Sequence, residues 1–375
     1  MPKTERTHAG IWSVEANNAR FQQLSNVNEL VTRIMPTQAF RTDLLAFYDA
    51  TRLLPHPQLL PFHPDEEEPS ANPENGGNGV HYELKNIEIL TIKNWQIDQG
   101  SFRGMCFALE HCQLIHTVQL FNVQLSVEEV EQLCLLIPQT AVTVFHLEWN
   151  ASFSKSDEAS LPPSAIDALL SPSSKVTALS FRASGLSSVH ADAIAKALRA
   201  NTTLQVLNLF QNTVGDEGAL AIAYALPFNS TLKSLSLGNT AISGKAARVL
   251  VDVLTKYVAP PSLLQELEEA EPRIQSELDQ AKKAKKKIDR ATAMQNLGLP
   301  LLETIDGEQY APGNSVIEDL VLSGNKDIQE DDLTAMNAML ETHHAKLEQH
   351  LKRIRLQRIP ALKAVTHPLS PLLIV

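Results

Sequence analysis

Five residues stand where the chain has most to offer a partner: Phe121, His146, Glu148, Arg182 and Phe210. Each falls between apolar positions of a short extended segment, so its side chain points away from the apolar face. Aromatic rings and arginine are the residue types that carry most of the binding energy at protein interfaces. The competing expectation is that a flanking segment of the same chain covers the two rings. A second group, His343, His344 and His350 with Glu341 and Glu348, has the chemistry of metal ligands. On a helix His343 and His344 point about 100° apart, and only His344 and Glu348 share a face at i, i+4. A solvent-exposed helix is therefore expected there, and no metal. Three cysteines, Cys106, Cys112 and Cys134, are an odd number that argues against a disulfide framework. Nothing reads as a phosphate loop, a dinucleotide fingerprint, a nucleophile elbow or a zinc motif. No catalytic residue, cofactor or metal site is expected, and the chemistry on offer is binding.

The elements that position these residues repeat. Leu204 set over Leu232 aligns Leu207 with Leu235, Leu209 with Leu237, Val214 with Ile242, Ile222 with Leu250 and Leu226 with Leu254, a period of 28 residues. Each unit opens as L-x-x-L-x-L, an extended segment, and continues with apolar residues three or four apart, a helix. One strand plus one helix at this period is a leucine-rich repeat. The same pattern starts at Ile87, Ile115, Val142, Val176 and Ile317. Cys106 and Cys134 both fall 19 residues after a start, which predicts small core residues in a reducing compartment. Asn201 and Asn229 head formal glycosylation sequons but share one repeat slot, so each is expected to end a helix in a left-handed turn.

This phasing divides the chain. Residues 1–54 carry two amphipathic patterns and are expected to be a helical cap on the first repeat. Residues 55–80, rich in proline, acidic residues and glycine, predict a flexible linker. Repeats one to six occupy 81–258, with six extra residues between Phe153 and Leu161. Residues 259–313 are a charged helical insertion in which Leu267, Ile274, Ala281 and Ile288 recur every seven residues. That spacing suggests a coiled-coil seam, interrupted by Pro272. The run is expected to be a solvated helical face, with a partner-helix contact as the alternative. Repeat seven and a long basic helix to about Gln357 fill 314–358, and 359–375 is an apolar tail that docks onto something.

The net charge of −11 opposes general binding to a nucleic-acid backbone. No stretch approaches 18 apolar residues and the start, MPKTERTHAG, is too polar for a secretory signal. A soluble, cytoplasmic protein without membrane contact is expected.

The period and phrases such as NTTLQVLNLFQNTVGDEGALAIAYAL resemble the ribonuclease-inhibitor type of leucine-rich repeat. That resemblance implies an α/β solenoid, a horseshoe with its parallel sheet on the concave side and helices on the convex side, acting as a protein-binding scaffold. Over about Ser174 to Gln349 the order of segments is similar to the family of leucine-rich repeat-containing protein 71. The order is two regular repeats, a Lys-rich insertion, Pro300-Leu-Leu-Glu, Asp306-Gly, Pro312-Gly-Asn and a resumed strand. The insertion here is shorter and more helical, and the N-terminal third matches loosely. That second resemblance implies a structural role in the axoneme of motile cilia or flagella, or another microtubule-based assembly, with axonemal protein partners. The alternatives are a small-GTPase regulator of the activating type, a family with a strongly acidic tail after its repeats where this chain's C-terminal helix is expected to be basic, and a ribonuclease-inhibitor-like binding protein.

Overall fold

The structure is a computed structural model and describes residues 6–7, 10–60, 86–150, 161–363 and 369–375. The acidic run Asp65 to Glu68 and the six extra residues expected between Phe153 and Leu161 lie outside the described residues. The chain forms two compact units, residues 1–185 and 186–375.

The first unit opens with a two-residue hairpin, β1 (Arg6–Thr7) and β2 (Gly10–Ile11), followed by α1 (Val14–Gln22), α2 (Val27–Thr32) and α3 (Phe40–Thr51). Strands and helices then alternate: β3 (Ile89–Lys93), α4 (Gln99–His111), β4 (Thr117–Phe121), α5 (Val127–Leu136), β5 (Val144–Glu148), α6 (Pro163–Leu169) and β6 (Ala178–Ser180). The four strands β3 to β6 are parallel and in register, with Leu90, Val118, Phe145 and Leu179 side by side. All four side chains are buried, as are Ile92, Leu120 and Leu147 two residues on. Alternation along each strand turns the intervening residues to the opposite, helix-free face.

Helix α3 lies against α4 because α4 leaves room for it. A β-carbon at Gly104 would come within 2.6 Å of the Phe47 ring, and one at Gly100 within 2.4 Å of a Leu53 methyl. The packing does not stop at residue 54: His56 and Leu59 are buried, and the His56 ring meets Trp12 edge-on at 4.9 Å. Residues 55–60 are thus part of the first unit, where a linker was expected to begin. The prolines there forbid a helix, yet apolar and aromatic side chains between them still have a core to enter.

The second unit contains α7 (Ser188–Leu198), β7 (Val206–Asn208), α8 (Gly215–Ala225), β8 (Ser234–Ser236) and α9 (Gly244–Asp252). The insertion follows, with β9 (Tyr257–Val258), α10 (Pro261–Lys283), α11 (Arg290–Asn296), β10 (Glu303–Ile305) and β11 (Glu308–Ala311). After it come β12 (Asp319–Val321), α12 (Glu330–Thr342), α13 (His344–Leu347), β13 (Arg353–Arg355) and β14 (Leu373–Ile374). Strands β7, β8, β12, β13 and β14 are parallel neighbours in that order. Strand β12 pairs directly with β8 across the insertion, so Leu207, Leu235 and Leu320 align on one buried face.

Three expectations are corrected here. The long helix to Gln357 ends at Thr342, and Arg353–Arg355 is a strand. Leu351, Ile354 and Leu356 repeat the L-x-x-L-x-L spacing 34 residues after Ile317; a basic composition masked an eighth repeat. The apolar tail supplies a further strand, β14, so the described residues hold nine parallel strands, four in the first unit and five in the second, where seven were expected. Finally, α10 runs through Pro272. Ala270 and Ile274 on either side are fully buried against Ala293, Met294 and Leu299, and that packing offsets the hydrogen bond proline removes. Leu267, Ile274 and Ile288 belong to this small core, so the seven-residue spacing serves a self-packed helical hairpin.

Two backbone devices recur with the period. Seven residues after each start the chain turns left-handed: Asn94, Asn122, Trp149 and Ala183 in the first unit, and Gln211, Asn239, Gly324 and Arg358 in the second. In the slot before a strand, Asn229 and Asn314 each bridge two turns. Asn314 Oδ1 accepts from the N–H groups of Val316 and Ile317 while its Nδ2 donates to Leu226 O and Asn229 O. Asn229 does the same with Thr231, Leu232, Leu198 and Asn201. The expected left-handed helix end is corrected at this slot, since Asn229 is extended at φ −105°. Its amide works as a buried cross-link, and a buried, hydrogen-bonded amide leaves no place for a glycan.

Candidate functional site

The helix-free face of the first unit carries four of the five residues named from sequence. Phe121 ends β4 beside Glu148 at the end of β5, and both are half-buried. Next to them stands Trp149, which sequence reasoning missed because it lies one residue past the strand. Its ring is 6.1 Å from that of Phe121, and the Arg182 guanidinium lies over it at 5.9 Å. Trp149 is 40% exposed, with φ +58°, and its N–H donates to Arg182 O at 2.9 Å. Left-handed backbone costs an L-residue roughly 1–2 kcal/mol, and the equivalent places hold Asn94, Asn122, Asn239 and Gly324, which accept it readily, as well as Ala183, Gln211 and Arg358, none of them aromatic. A bulky ring here is the departure that could have drawn attention to it in the sequence.

The polar members sit beside this pair of rings. Ser180 Oγ donates to Glu148 Oε1 at 2.6 Å, which fixes the carboxylate across two strands. His146 lies next to Ser180 in register. Burial lowers its pKa, with the Glu148 charge working in the opposite direction, so its imidazole favours the neutral form. Phe121, Glu148, Trp149 and Arg182 therefore make one contiguous patch with His146 at its edge.

Phe210 belongs to the second unit. It is half-buried, and its ring covers Gly238, where a β-carbon would come within 2.7 Å of it. The Phe210 N–H donates to Asn208 Oδ1 at 3.0 Å. The rest of this unit's helix-free face carries Val206, Asn208, Ser234 and Ser236 and the Asp319 carboxylate paired with Arg353 and Arg355.

The other sequence-level candidates have structural explanations. Cys106, Cys112 and Cys134 are free and buried, and burial pushes the Cys106 and Cys134 thiols up to about 12, away from thiolate chemistry. His344 Nδ1 lies 3.2 Å from Glu348 Oε2 along one helical face, whereas His350 Nδ1 pairs with Ile317 O at 2.9 Å. Among the described residues no three His, Cys, Asp or Glu side chains are grouped to hold a metal ion. No helix among them is long and apolar enough to cross a membrane.

A family model described as Leucine Rich repeat matches residues 200–223, the stretch that begins just after α7 and runs through β7 into α8. It supports a leucine-rich repeat protein, a class whose repeats are generally protein-interaction modules without catalysis. No curated protein matches the chain.

Proposed function

We propose that this chain is a non-catalytic protein-binding scaffold whose partner docks on the helix-free face of the first unit. The observation that carries the reading is Trp149, a large ring held in a costly backbone conformation, 40% exposed and flanked by Phe121 and Arg182. Aromatic and arginine side chains clustered in this way are the usual hot spots of interfaces. Burying a ring at about 25 cal/mol per Å² contributes roughly 1.5–3 kcal/mol, and an exposed charge pair at the rim under about 1 kcal/mol. The resemblance in segment order to the leucine-rich repeat-containing protein 71 family supports placing the scaffold in a ciliary or flagellar axoneme. The horseshoe form, with this face on its concave side, belongs to the same reading.

Affinity capture of the tagged protein from its own cells, followed by mass spectrometry, identifies the partner. Capture by Phe121→Ser/Trp149→Gly is then expected to fall at least about tenfold with the circular dichroism spectrum unchanged. A folded double variant that captures the partner normally would move the interface elsewhere. Tagged protein absent from motile cilia would remove the axonemal part, and stimulated GTP hydrolysis by a small GTPase would replace the scaffold reading.

A further inference from the structure

Arg353 and Arg355 give a chain of net charge −11 a positive patch on the helix-free face of its second unit. Strand alternation turns both to one side of β13, with Ile354 between them fully buried. Asp319 stands beside Arg353 in register on β12, and its Oδ2 holds both guanidinium groups, Arg353 at 3.0 Å and Arg355 at 2.9 Å. The three side chains therefore share one face. Their exposures differ: Asp319 is 16% exposed, Arg353 46% and Arg355 35%. Water meets two cations and little of the anion that gathers them. Just ahead of these strands Glu318 is taken by Lys233, at 3.7 Å, and by Lys352. Among the described residues neither guanidinium has a further acidic partner.

Charge and spacing decide what such a patch binds. Two guanidinium groups gathered on one oxygen repel each other, a cost that a second anion lowers. The Nη1 groups of both have no partner among the described residues, and arginine's planar fork matches a carboxylate. Arginines two residues apart on a strand stand about 6.5–7 Å apart, which is also the spacing of alternate side chains along an extended peptide. The neighbouring strand β8 turns only Ser234 and Ser236 to this face, which leaves room for a main chain. A long polyanion such as nucleic acid is opposed by the negative charge of the rest of the chain. We propose that this face, over β8, β12 and β13, binds an extended acidic segment of a partner protein, in which carboxylates two residues apart pair with Arg353 and Arg355. The site is separate from the Trp149 patch and does not rest on the reading given for it.

The test uses the full chain and a fluorescent peptide of about ten residues, roughly 33 Å when extended, in which glutamate alternates with serine. A control peptide carries glutamine in place of every glutamate. Fluorescence anisotropy should show binding of the acidic peptide, and binding of the glutamine peptide weaker by at least about tenfold. Arg353→Gln/Arg355→Gln should weaken the acidic peptide by a similar factor. That variant strips Asp319 of both partners, so Ser234→Glu supplies a second test that keeps all three charged residues. It sets a competing carboxylate beside Asp319 in register and should weaken the acidic peptide by at least about threefold. Lys285→Gln/Lys286→Gln, at exposed positions of the insertion, should leave the affinity unchanged. Equal affinity for both peptides, unaltered affinity of Ser234→Glu, loss of binding in the lysine variant, or no binding of the acidic peptide would overturn the proposal. Tighter binding of an oligothymidylate of similar length would overturn it too, by assigning the arginines to nucleic-acid phosphates.

Discussion

The two units use one internal plan and show different outer faces. Inside, both place aliphatic or aromatic side chains three and five residues after each start, fully buried, and both turn left-handed two residues later. Outside, the first unit offers Phe121, Glu148, Trp149 and Arg182, while the second offers Val206, Asn208, Ser234 and Ser236, the Asp319 carboxylate paired with Arg353 and Arg355, and the single ring of Phe210. Packing constrains the inner positions, because a change of one methylene in a close-packed core is felt. The outer positions are held by no such constraint, so differences among them report on what the surface meets.

The sharpest test of this contrast sets an inner cross-link against an outer hydroxyl of the same unit. Asn314 is 3% exposed and its side chain satisfies two N–H groups and two carbonyls. Asn314→Ala leaves these buried groups unpaired, each at about 1–3 kcal/mol, and should cost at least about 3 kcal/mol in urea unfolding. Ser236→Ala on the helix-free face should stay within about 0.5 kcal/mol. Comparable losses for the two would show that the outer face is also structural.

A difference of nearly the same size should appear with pH in the first unit. His56 accepts a hydrogen bond from the Gln58 N–H at Nδ1 and approaches Gln96 O through Nε2 at 3.3 Å, an arrangement for the neutral ring. Burial lowers its pKa to about 4, against smaller opposing effects of the Asp98 charge and the Gln96 carbonyl. The unfolded state, titrating near 6.5, binds the proton first. Stability is therefore fully present above about pH 6.5 and lost as pH falls towards 4, by about 3 kcal/mol in total. Hydrogen exchange should show protection falling around His56 over this window, and His56→Gln should remove that part of the dependence. An unchanged profile in the variant would mean that other groups carry it.

How far the sequence was legible follows from which physical signal each part sends. The repeats were readable because burial writes a leucine at fixed spacing, and Leu204 through Leu254 shows it twice without a gap. The eighth repeat was present in Leu351, Ile354 and Leu356 but was hidden by Lys352, Arg353 and Arg355, whose charges face outward and bias a helical reading. The insertion showed its apolar spacing, yet spacing alone does not say whether a helix packs on a partner or folds back on itself. At the site, residues within the strands were found by counting; Trp149 was not, since it lies one residue past β5, and its slot in the repeat, seven residues after the start, was the signal that pointed to it.

The insertion gives a smaller effect. Its ends lie together: Asn314 N–H donates to Val253 O at 2.7 Å, and β11 pairs antiparallel with β9. Replacing residues 260–312 with a short Gly/Ser linker should therefore lower stability by less than about 2 kcal/mol, mostly through loss of the Arg199–Glu266 pair and of the β9–β11 pairing. A larger loss in denaturant unfolding would show that the module holds the neighbouring repeats together.

The smallest effect separates the Trp149 ring from its backbone. Trp149→Gly and Trp149→Ala both delete the ring, and with it the contacts to Phe121 and Arg182, so those losses cancel in a comparison of the two. What remains is the left-handed φ of +58°, which glycine adopts freely and alanine does not. The glycine variant should be the more stable by about 1 kcal/mol, the reverse of the order expected in a regular strand. Both should lose the same amount of partner binding, because neither presents the ring. If alanine proves as stable as glycine, the backbone at 149 relaxes once the ring is gone, and the ring itself imposes the conformation.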